Sequence, residues 1–237
     1  MLRGKDAVPL YQQLEDIIQA QIETGELKPG EQIPTELVLA DKYNVSRITI
    51  RQTLADLVKK GLLERKQGKG TFVAFPKIER ELISVHSFSE RMRSKGYTPG
   101  SRVLSIKLAV ATASVRKHLG LEEGEEVIAI ERLRLTNDEP VVLENSFIPY
   151  STYPLVMEAE INIGSLYQFL KEKYNVSPAL SKKTLEITVA NEYEAKLLNI
   201  YAGQPLFLLN ALVLTEDHQP IEFVKTLLRG DRVKFQI

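Results

Sequence analysis

The sequence contains no cysteine among its 237 residues, and it has no excess of charge of either sign. Without thiols the chain cannot form disulfides, thiolate metal sites or a cysteine nucleophile, which fits a reducing compartment. Because 31 basic residues balance 31 acidic residues, no global charge draws the chain onto nucleic acid or membrane. The longest apolar run, 206–214, is interrupted by Asn210 and is far shorter than the ~20 residues that span a bilayer. Since the start of the sequence also lacks the apolar stretch of a signal peptide, we predict a soluble, cytoplasmic protein.

The length and composition are typical of a globular protein with two domains. Apolar residues make up 43% of the chain and charged residues 26%, which excludes disordered and collagen-like classes. The hydrophobic pattern changes from helical spacing to strands and short helices after Pro76 and the charged stretch that follows it. We therefore predict a first domain over 1–75, a linker over 76–83 and a second domain over 84–237.

A strongly basic segment lies between Lys42 and Gly70. It holds eight lysines and arginines against two acidic residues, which leaves a local charge of +6 in 29 residues. Such clustering, more than the total charge, is typical of a nucleic-acid-binding surface. The alternative is a helix face that is simply solvated, as most charge runs are.

Apolar periodicity predicts three helices in the first domain. The first helix follows Pro9, the second starts at the N-cap Thr35, and the third starts at the N-cap Ser46. Two short strands, 62–66 and 71–73, follow around a basic tip that contains glycine. This order of helices and hairpin predicts a winged helix-turn-helix.

The third helix and the hairpin tip carry the side chains that we expect to contact DNA. Arg47 and Arg51 lie four residues apart at the start of the helix and face away from its apolar stripe. Residues at this position reach base edges in the major groove, where arginine most often reads guanine. Thr49 lies beside the two arginines, and Lys69 stands at the hairpin tip, within reach of the minor groove or of backbone phosphates. The agreement of order, spacing and charge favours DNA binding over the solvated-face alternative.

Residues 9–73 resemble the DNA-binding domain of GntR-type transcriptional regulators. The resemblance is carried by Pro-Leu-Tyr at 9–11, Gly-Glu-Leu-Lys-Pro-Gly at 25–30, Pro-Thr-Glu at 34–36, Val-Ser-Arg-Ile-Thr-Ile-Arg at 45–51 and Gly-Lys-Gly-Thr-Phe-Val at 68–73. It implies DNA contacts from the third helix and the wing, and this chain has Leu37 where many relatives carry an arginine. The predicted DNA-binding residues are Thr35, Glu36, Ser46, Arg47, Thr49, Arg51, Gln52, Gly68, Lys69 and Gly70.

The pattern of the second domain predicts an antiparallel sheet with short helices, and hence an α+β protein. The predicted strands are 102–110, 127–135, 141–148, 184–189, 206–214 and 221–228, and the predicted helices are 88–95, 113–119, 165–174 and 192–199. Tight turns at 137–140 and 217–220 each join two adjacent strands, which makes those pairs antiparallel.

One predicted strand, 127–135, carries two arginines on a face that is otherwise apolar. Alternation places Arg132 and Arg134 on the same face as two isoleucines. If the loop at 137–139 has three residues, Glu144 lies opposite Arg132 on the next strand. The pattern is equally consistent with an ion pair at the edge of the sheet, worth less than ~1 kcal/mol, and with a pocket whose arginines bind an anion.

Residues 84–237 resemble the effector domain of the HutC subfamily, the UTRA domain, which has a chorismate-lyase-like fold. The motifs are Ser-Phe-Ser-Glu-Arg-Met at 87–92, Gly-Tyr-Thr-Pro-Gly-Ser at 96–101, Glu-Arg-Leu-Arg at 131–134, Leu-Glu-Asn-Ser at 143–146, Ser-Leu-Tyr at 165–167 and Leu-Arg-Gly-Asp-Arg at 228–232. Within the subfamily the chain is most similar to regulators of N-acetylglucosamine use, whose effector is an amino-sugar phosphate. They carry a tyrosine where this chain has Leu228.

The resemblance implies which residues bind an effector. It implies that three serines, two arginines and a tyrosine surround the phosphate, while two glutamates contact the sugar. The predicted effector-binding residues are Ser87, Phe88, Ser89, Arg132, Arg134, Glu144, Ser165, Tyr167 and Glu222. Independently of the resemblance, Ser165 follows Gly164 at a predicted helix start, where free N–H groups favour an anion.

These features together predict a ligand-responsive transcription factor. We expect a repressor that binds a palindromic operator as a homodimer and is released by a small phosphorylated metabolite. The alternatives are a different, non-sugar anionic effector, a chorismate-lyase-like enzyme, and a structural DNA-binding protein that responds to no ligand. We predict no enzymatic activity and no cofactor, because the sequence shows neither paired catalytic carboxylates nor a Ser-His-Asp spacing. We predict no metal site either, because the histidines at 86, 118 and 218 lack ligand spacing.

Overall fold

A computed structural model of the chain describes residues 8–66, 68–81, 87–158 and 166–236. The chain divides into two compact units between Ile78 and Glu79. Within the described ranges, no helix is both long enough and apolar enough to cross a membrane.

The first unit consists of three helices and a two-stranded hairpin. Its elements are α1 (Leu10–Glu23), α2 (Glu36–Tyr43), α3 (Arg47–Lys59), β1 (Leu63–Lys66) and β2 (Gly70–Val73). The apolar side of each helix meets in one core, in which Leu14, Ile50 and Leu57 are almost fully buried. Because these residues recur at helical spacing, their burial fixes which face of each helix points outward. The predicted winged helix-turn-helix is confirmed.

Local capping determines where α2 and α3 begin and end. The Thr35 hydroxyl accepts a hydrogen bond from the N–H of Val38 at 3.5 Å, and the Ser46 hydroxyl accepts one from the N–H of Thr49 at 3.2 Å. Asn44 ends α2 with a φ of 51°, in the left-handed region that asparagine enters more readily than most residues. The chain therefore turns within three residues and starts α3.

The second unit is built on a six-stranded sheet. Its elements are β3 (Ile78–Glu81), α4 (Phe88–Ser94), β4 (Pro99–Val110), α5 (Ala113–Leu119), β5 (Glu126–Thr136), β6 (Glu139–Pro149), a short 3-10 helix (Pro154–Glu158), α6 (Leu166–Tyr174), β7 (Leu180–Val189), α7 (Glu192–Leu198), β8 (Pro205–Leu214), β9 (Pro220–Arg229) and β10 (Val233–Gln236). The sheet has the order β4-β5-β6-β9-β8-β7, and all neighbouring strands are antiparallel. The predicted α+β architecture is confirmed.

Helices cover both faces of this sheet. On one face, α6 and the 3-10 helix pack against Ile128 and Ile130 of β5. On the opposite face, α5 packs against Val127 and Phe223, and α7 packs near Leu133. The alternation of β5 therefore places Arg132 and Arg134, which follow Ile128 and Ile130, on the face covered by α6.

The hairpin between β5 and β6 differs from the predicted hairpin in its turn. The turn has two residues, 137–138, both with positive φ (49° and 63°), as in a type I′ turn, and not the three residues on which the predicted pairing was conditional. A β-bulge next to Arg134 leaves one extra residue on β6. This extra residue compensates for the shorter turn, so that the strand pairing beyond the bulge is the predicted pairing. Arg132 therefore pairs with Glu144 as predicted.

The segment predicted to be a linker, 76–83, contains a strand. β3 pairs with β10, and the Glu79 carboxylate forms an ion pair with Lys234 at 2.6 Å. The charged composition of this segment hid the strand, because its partner strand lies at the far end of the sequence. Strand pairing thus begins before residue 84, where the second domain is predicted to start.

Candidate DNA-contacting surface and buried cavity

The start of α3 presents its two arginines to solvent. Arg47 and Arg51 are both exposed, whereas Ile50 and Leu54 of the same helix are buried in the core. Because the helix is anchored by its apolar face, its basic face points away from the unit. The orientation predicted for the two arginines is confirmed.

Arg51 is held by a carboxylate from the preceding helix. Its Nη2 donates to Glu36 Oε2 at 3.0 Å, and its Nε lies 3.3 Å from the same oxygen. This hydrogen bond from Arg51, acting against a smaller effect of burial, lowers the pKa of the Glu36 carboxyl. The Arg51 side chain remains 62% exposed, so its guanidinium is oriented while it stays accessible to a partner.

The remaining predicted residues on α2 and α3 serve first as local supports. Thr35 and Ser46 cap the two helices, and the hydroxyls of Ser46 and Thr49 lie 2.8 Å apart. Gln52 Nε2 donates to Asp56 Oδ2 at 2.7 Å. These side chains border the arginine surface and fix the start of the helix that carries it.

The wing tip is exposed and shaped by its glycines. Gly68, Lys69 and Gly70 are all exposed, and Gly70 has a φ of 119°. A Cβ at Gly70 would lie 2.7 Å from Nε2 of Gln32, which itself donates to the Lys69 carbonyl at 2.9 Å. Only glycine adopts this backbone conformation at no cost, and a side chain here would displace the Gln32 amide. The wing therefore presents Lys69 in a defined position.

A buried cavity of about 90 Å³ lies between the sheet and the elements that cover it in the second unit. Seven of the predicted effector-binding residues line it, namely Ser87, Phe88, Arg132, Arg134, Glu144, Tyr167 and Glu222. Ser89 does not line the cavity but contacts Arg134. Ser165 lies outside the described residues. Leu228, where the related regulators carry a tyrosine, is fully buried and is not among the described residues that line the cavity.

Arg132 and Glu144 form a buried ion pair in the cavity wall. Arg132 Nη2 donates to Glu144 Oε1, and the two side chains are only 6% and 15% exposed. Burial raises the pKa of Glu144, but the charges of Arg132, Arg134 and Arg80 outweigh it and hold the pKa below its ordinary value. The alternative of an ion pair at an exposed sheet edge is therefore wrong, because β5 and β6 both lie inside the sheet.

Arg134 is fixed by neutral groups. Its Nη1 donates to Ser101 Oγ and its Nη2 donates to Ser89 Oγ, both at 2.9 Å. The guanidinium also lies 4.8 Å from the centre of the Phe88 ring, a distance at which a cation is attracted to the ring face. The Nε atom is buried without a hydrogen-bond partner among the described residues. None of these direct contacts of Arg134 neutralises its charge.

Tyr167 and Glu222 form a second buried polar pair. The Tyr167 hydroxyl donates to Glu222 Oε2 at 2.8 Å. Burial, followed by the nearby Glu144 charge, raises the pKa of Glu222, and burial raises the pKa of Tyr167 well above 10. Glu222 Oε1 has no hydrogen-bond partner within the described part of the chain, so this oxygen is available to a hydroxyl or an amine of a ligand.

Sequence reasoning missed three basic residues that line the same cavity. They are Arg80 of β3, Arg91 of α4 and Lys183 of β7. Arg80 lies in the segment assigned to the linker, so its role depends on the unpredicted pairing of β3 with β10. Arg91 was detectable, because it lies three residues after Phe88 on the buried face of α4.

The cavity has the chemistry of a site for a small polar anion. Several buried polar atoms of the lining lack hydrogen-bond partners among the described residues: nitrogens of Arg80, Arg132 and Arg134 and one oxygen of Glu222. Burying such an atom costs folding free energy unless water or a ligand forms a hydrogen bond with it. Apolar side chains of β8 complete the lining. The described residues contain no group of three or more potential metal ligands.

Comparison with known families covers both units. The family model described as "Bacterial regulatory proteins, gntR family" matches residues 10–73, and the UTRA domain model matches residues 94–234. The two matches correspond to the helical unit with the wing and to the unit with the cavity.

Individual relatives match over nearly the whole chain. The HTH-type transcriptional repressor NagR of Bacillus subtilis is 37% identical, and the match covers 99% of this chain and 96% of NagR. An Escherichia coli (strain K12) protein named "Probable fructoselysine utilization operon transcriptional repressor" is 33% identical over 96% of this chain and 93% of its own. The crystal structure of PhnF from Mycobacterium smegmatis superposes with a TM-score of 0.67 at 29% identity, over 95% of this chain and 96% of PhnF.

Proposed function

The chain belongs to the gntR family of bacterial regulatory proteins and carries a UTRA domain, and from this we propose that it is a repressor released from its operator by a small phosphorylated metabolite. The observation that carries the proposal is the presence, in one chain, of an exposed basic recognition helix and a buried cavity lined by arginines. The relatives NagR and the probable fructoselysine utilization operon repressor are both named as transcriptional repressors, and the second name supports a sugar-derived effector.

We place sequence recognition on α3. Arg47 and Arg51 meet base edges in the major groove, where a bidentate arginine contact discriminates by about 1–3 kcal/mol. Glu36 orients the Arg51 guanidinium before binding, which reduces the entropy lost when the contact forms. The caps Thr35 and Ser46, with Thr49 and Gln52, border this surface and contact the adjoining backbone.

The wing supplies affinity that does not depend on base sequence. Lys69 projects from the tip formed by Gly68 and Gly70 and contacts a phosphate or the minor groove. Each phosphate neutralised by a lysine releases counterions, so operator binding weakens as salt rises.

We place the phosphate of the effector at Arg132 and Arg134. Ser87, Phe88 and Ser89 support this end, because Ser89 bonds Arg134 and the Phe88 ring lies beside its guanidinium. Glu144, Tyr167 and Glu222 face the sugar, where the partnerless Glu222 oxygen accepts from a hydroxyl or an amine. An effector that is anionic but not a sugar is the alternative at this site.

A homodimer would place two copies of α3 in successive major grooves, roughly 34–36 Å apart. Effector binding then favours a dimer arrangement whose two recognition helices no longer match this spacing. A 100-fold loss of operator affinity requires about 2.8 kcal/mol of differential binding between the two arrangements. Two charge-assisted contacts to a phosphate supply energy of that size.

The proposal is tested by fluorescence anisotropy of labelled DNA taken from upstream of the gene and its neighbours. We expect binding at low salt, and release on adding glucosamine 6-phosphate but not on adding glucosamine. Binding that no sugar phosphate changes would remove the effector class from the proposal. Absence of DNA binding at low salt, or turnover of the sugar phosphate, would contradict the regulator itself.

A further inference from the structure

The strand β3 places Arg80 in the cavity wall. Successive side chains of a strand point to opposite sides, so Ile78 and Arg80 face one side of β3 and Glu79 faces the other. Ile78 is almost fully buried and Arg80 lines the cavity, whereas Glu79 is exposed. The division of the chain into two units falls inside this strand, after Ile78. Among the described lining residues, Arg80 is therefore the one nearest in sequence to the first unit.

β3 is attached to the second unit through β10. The two strands form a two-stranded sheet of their own, apart from the six-stranded sheet. β10 contacts the larger sheet, since the Phe235 ring lies edge-on, 5.2 Å from the centre of the Phe207 ring of β8. An ion pair between Glu79 and Lys234 links β3 to β10, but it is exposed and stabilises the pairing little. Because two strands alone are marginally stable, the contacts of the inward side chains of β3 decide how firmly it pairs with β10.

Two nitrogens of the Arg80 guanidinium are buried without a hydrogen-bond partner. They are Nε and Nη1, and neither is bonded to any of the described residues. Burial, followed by the charge of Arg91, lowers the pKa of Arg80 to about 9, while the Glu144 carboxylate acts in the opposite direction. Arg80 is therefore charged at neutral pH, and Glu144 offsets part of that charge. Glu144 Oε1 accepts its hydrogen bond from Arg132, however, and the two Arg80 nitrogens still need an acceptor.

An anion in the cavity would be that acceptor. Hydrogen bonds from a guanidinium to a phosphate or carboxylate oxygen are charge-assisted and stronger than those between neutral groups. The cavity is small, about 90 Å³, so a ligand inside it lies close to all of its walls. One bound anion can thus contact the arginines of β5 and also Arg80 of β3. We call β3 docked when it pairs with β10 and Arg80 lies in the cavity wall.

We propose that Arg80 couples the cavity to the DNA-binding unit: an anionic oxygen of the bound effector accepts hydrogen bonds from Arg80 and stabilises docked β3. This inference rests on the proposed function, because it assigns the regulation of the same site. Residues 74–77 alone separate β3 from the last strand of the wing. Docked β3 therefore leaves a short connection between the units, and a shorter connection limits the reach of the DNA-binding unit.

The proposal relates two quantities that can be measured separately. Coupling between two equilibria is reciprocal. The factor by which docking of β3 tightens effector binding must therefore equal the factor by which bound effector stabilises docked β3. We expect this factor to be at least about 10-fold, the lower end of the range for a hydrogen bond to a charged group. Amide exchange that requires β3 to open should slow by the same factor when the effector is bound.

The test is amide hydrogen exchange of the full-length protein, with and without saturating glucosamine 6-phosphate. In the wild-type protein, exchange of the β3 amides should slow by at least about 10-fold. In Arg80→Gln, affinity for the sugar phosphate should fall by a similar factor, and the slowing at saturation should be below about 3-fold. Arg80→Lys keeps the charge and should recover part of both effects, which separates them from misfolding. Arg102→Gln, which alters an exposed arginine of β4 outside the cavity lining, should behave as the wild-type protein does.

Operator binding of the same variants shows whether docking of β3 controls DNA binding. Saturating glucosamine 6-phosphate should weaken operator binding about 100-fold in the wild-type protein and only about 10-fold in Arg80→Gln, because the docking factor is lost. Equal slowing of β3 exchange in both proteins would overturn the inference. It would also be overturned, with the proposed function intact, if the sugar phosphate released the wild-type protein from its operator without slowing β3 exchange. If glucosamine 6-phosphate did not bind the wild-type protein, the proposed effector would fail and the inference with it.

Discussion

Replacing Glu144 by glutamine removes one charge from the buried pair with Arg132 and nearly preserves its shape. Removing one partner of a buried ion pair costs about 3–5 kcal/mol. The neutral glutamine oxygen still accepts from the Arg132 guanidinium, and this hydrogen bond recovers ~1 kcal/mol. We therefore expect Glu144→Gln to lower the free energy of unfolding of the second unit by about 2–4 kcal/mol. For a unit of this size, that loss lowers Tm by about 5–15 °C.

Differential scanning calorimetry at pH 7 measures this change, with Glu186→Gln, an exposed carboxylate of β7, as the matched control. In the folded protein the pKa of the Glu144 carboxyl is below its ordinary value of 4.5. The stabilisation that the ionised carboxylate provides is therefore fully present above pH 4.5 and is lost as the pH falls through the folded-state pKa. The gap between wild type and Glu144→Gln should therefore close in acid. Inorganic phosphate should stabilise Glu144→Gln more than the wild-type protein, since the variant cavity carries one more uncompensated positive charge. An unchanged Tm at pH 7 would refute the assignment of this pair as a buried, charged element of the cavity.

Two further outcomes concern the wing. Lys69→Ala should reduce the slope of log affinity against log salt by about 1 and leave sequence preference unchanged, as measured by anisotropy on operator and scrambled DNA; a changed preference would show that Lys69 reads bases. Gly70→Ala should destabilise the wing by about 1–3 kcal/mol, because a Cβ is strained at a φ of 119° and would displace the Gln32 amide, which lies 2.7 Å away. Hydrogen exchange of β1 and β2 should rise in that variant, and unchanged exchange would show that the wing does not need glycine at position 70.

Most secondary-structure elements could be predicted from local signals. The caps Thr35 and Ser46 and the apolar spacing on α3 determine the recognition helix, and both are visible in the sequence. The strand that carries Arg132 and Arg134 was predicted from alternation alone. Each of these elements is determined by residues that are close together in the chain, and for this reason it can be predicted from the sequence.

The place of Arg80 in the cavity wall could not be predicted in this way. Arg80 lies in a charged stretch that is typical of a linker, and it reaches the cavity side of the unit only because β3 pairs with β10 at the other end of the chain. The predicted pairing of Arg132 with Glu144 was conditional on a three-residue loop; the turn has two residues, and a bulge supplies the third. Both features depend on long-range pairing, for which periodicity gives no signal.

In the proposed function, one unit reads DNA, and the other unit binds the effector and controls that reading. The most direct measurement is operator affinity, with and without glucosamine 6-phosphate, for Arg51→Ala and Arg134→Ala beside the wild-type protein, each checked for folding by its thermal melt. We expect Arg51→Ala to weaken operator binding by about 1–3 kcal/mol and still to bind the sugar phosphate. We expect Arg134→Ala to bind the operator normally and no longer to be released by the effector. If both variants changed both properties in the same way, the division of labour between the two units would be contradicted.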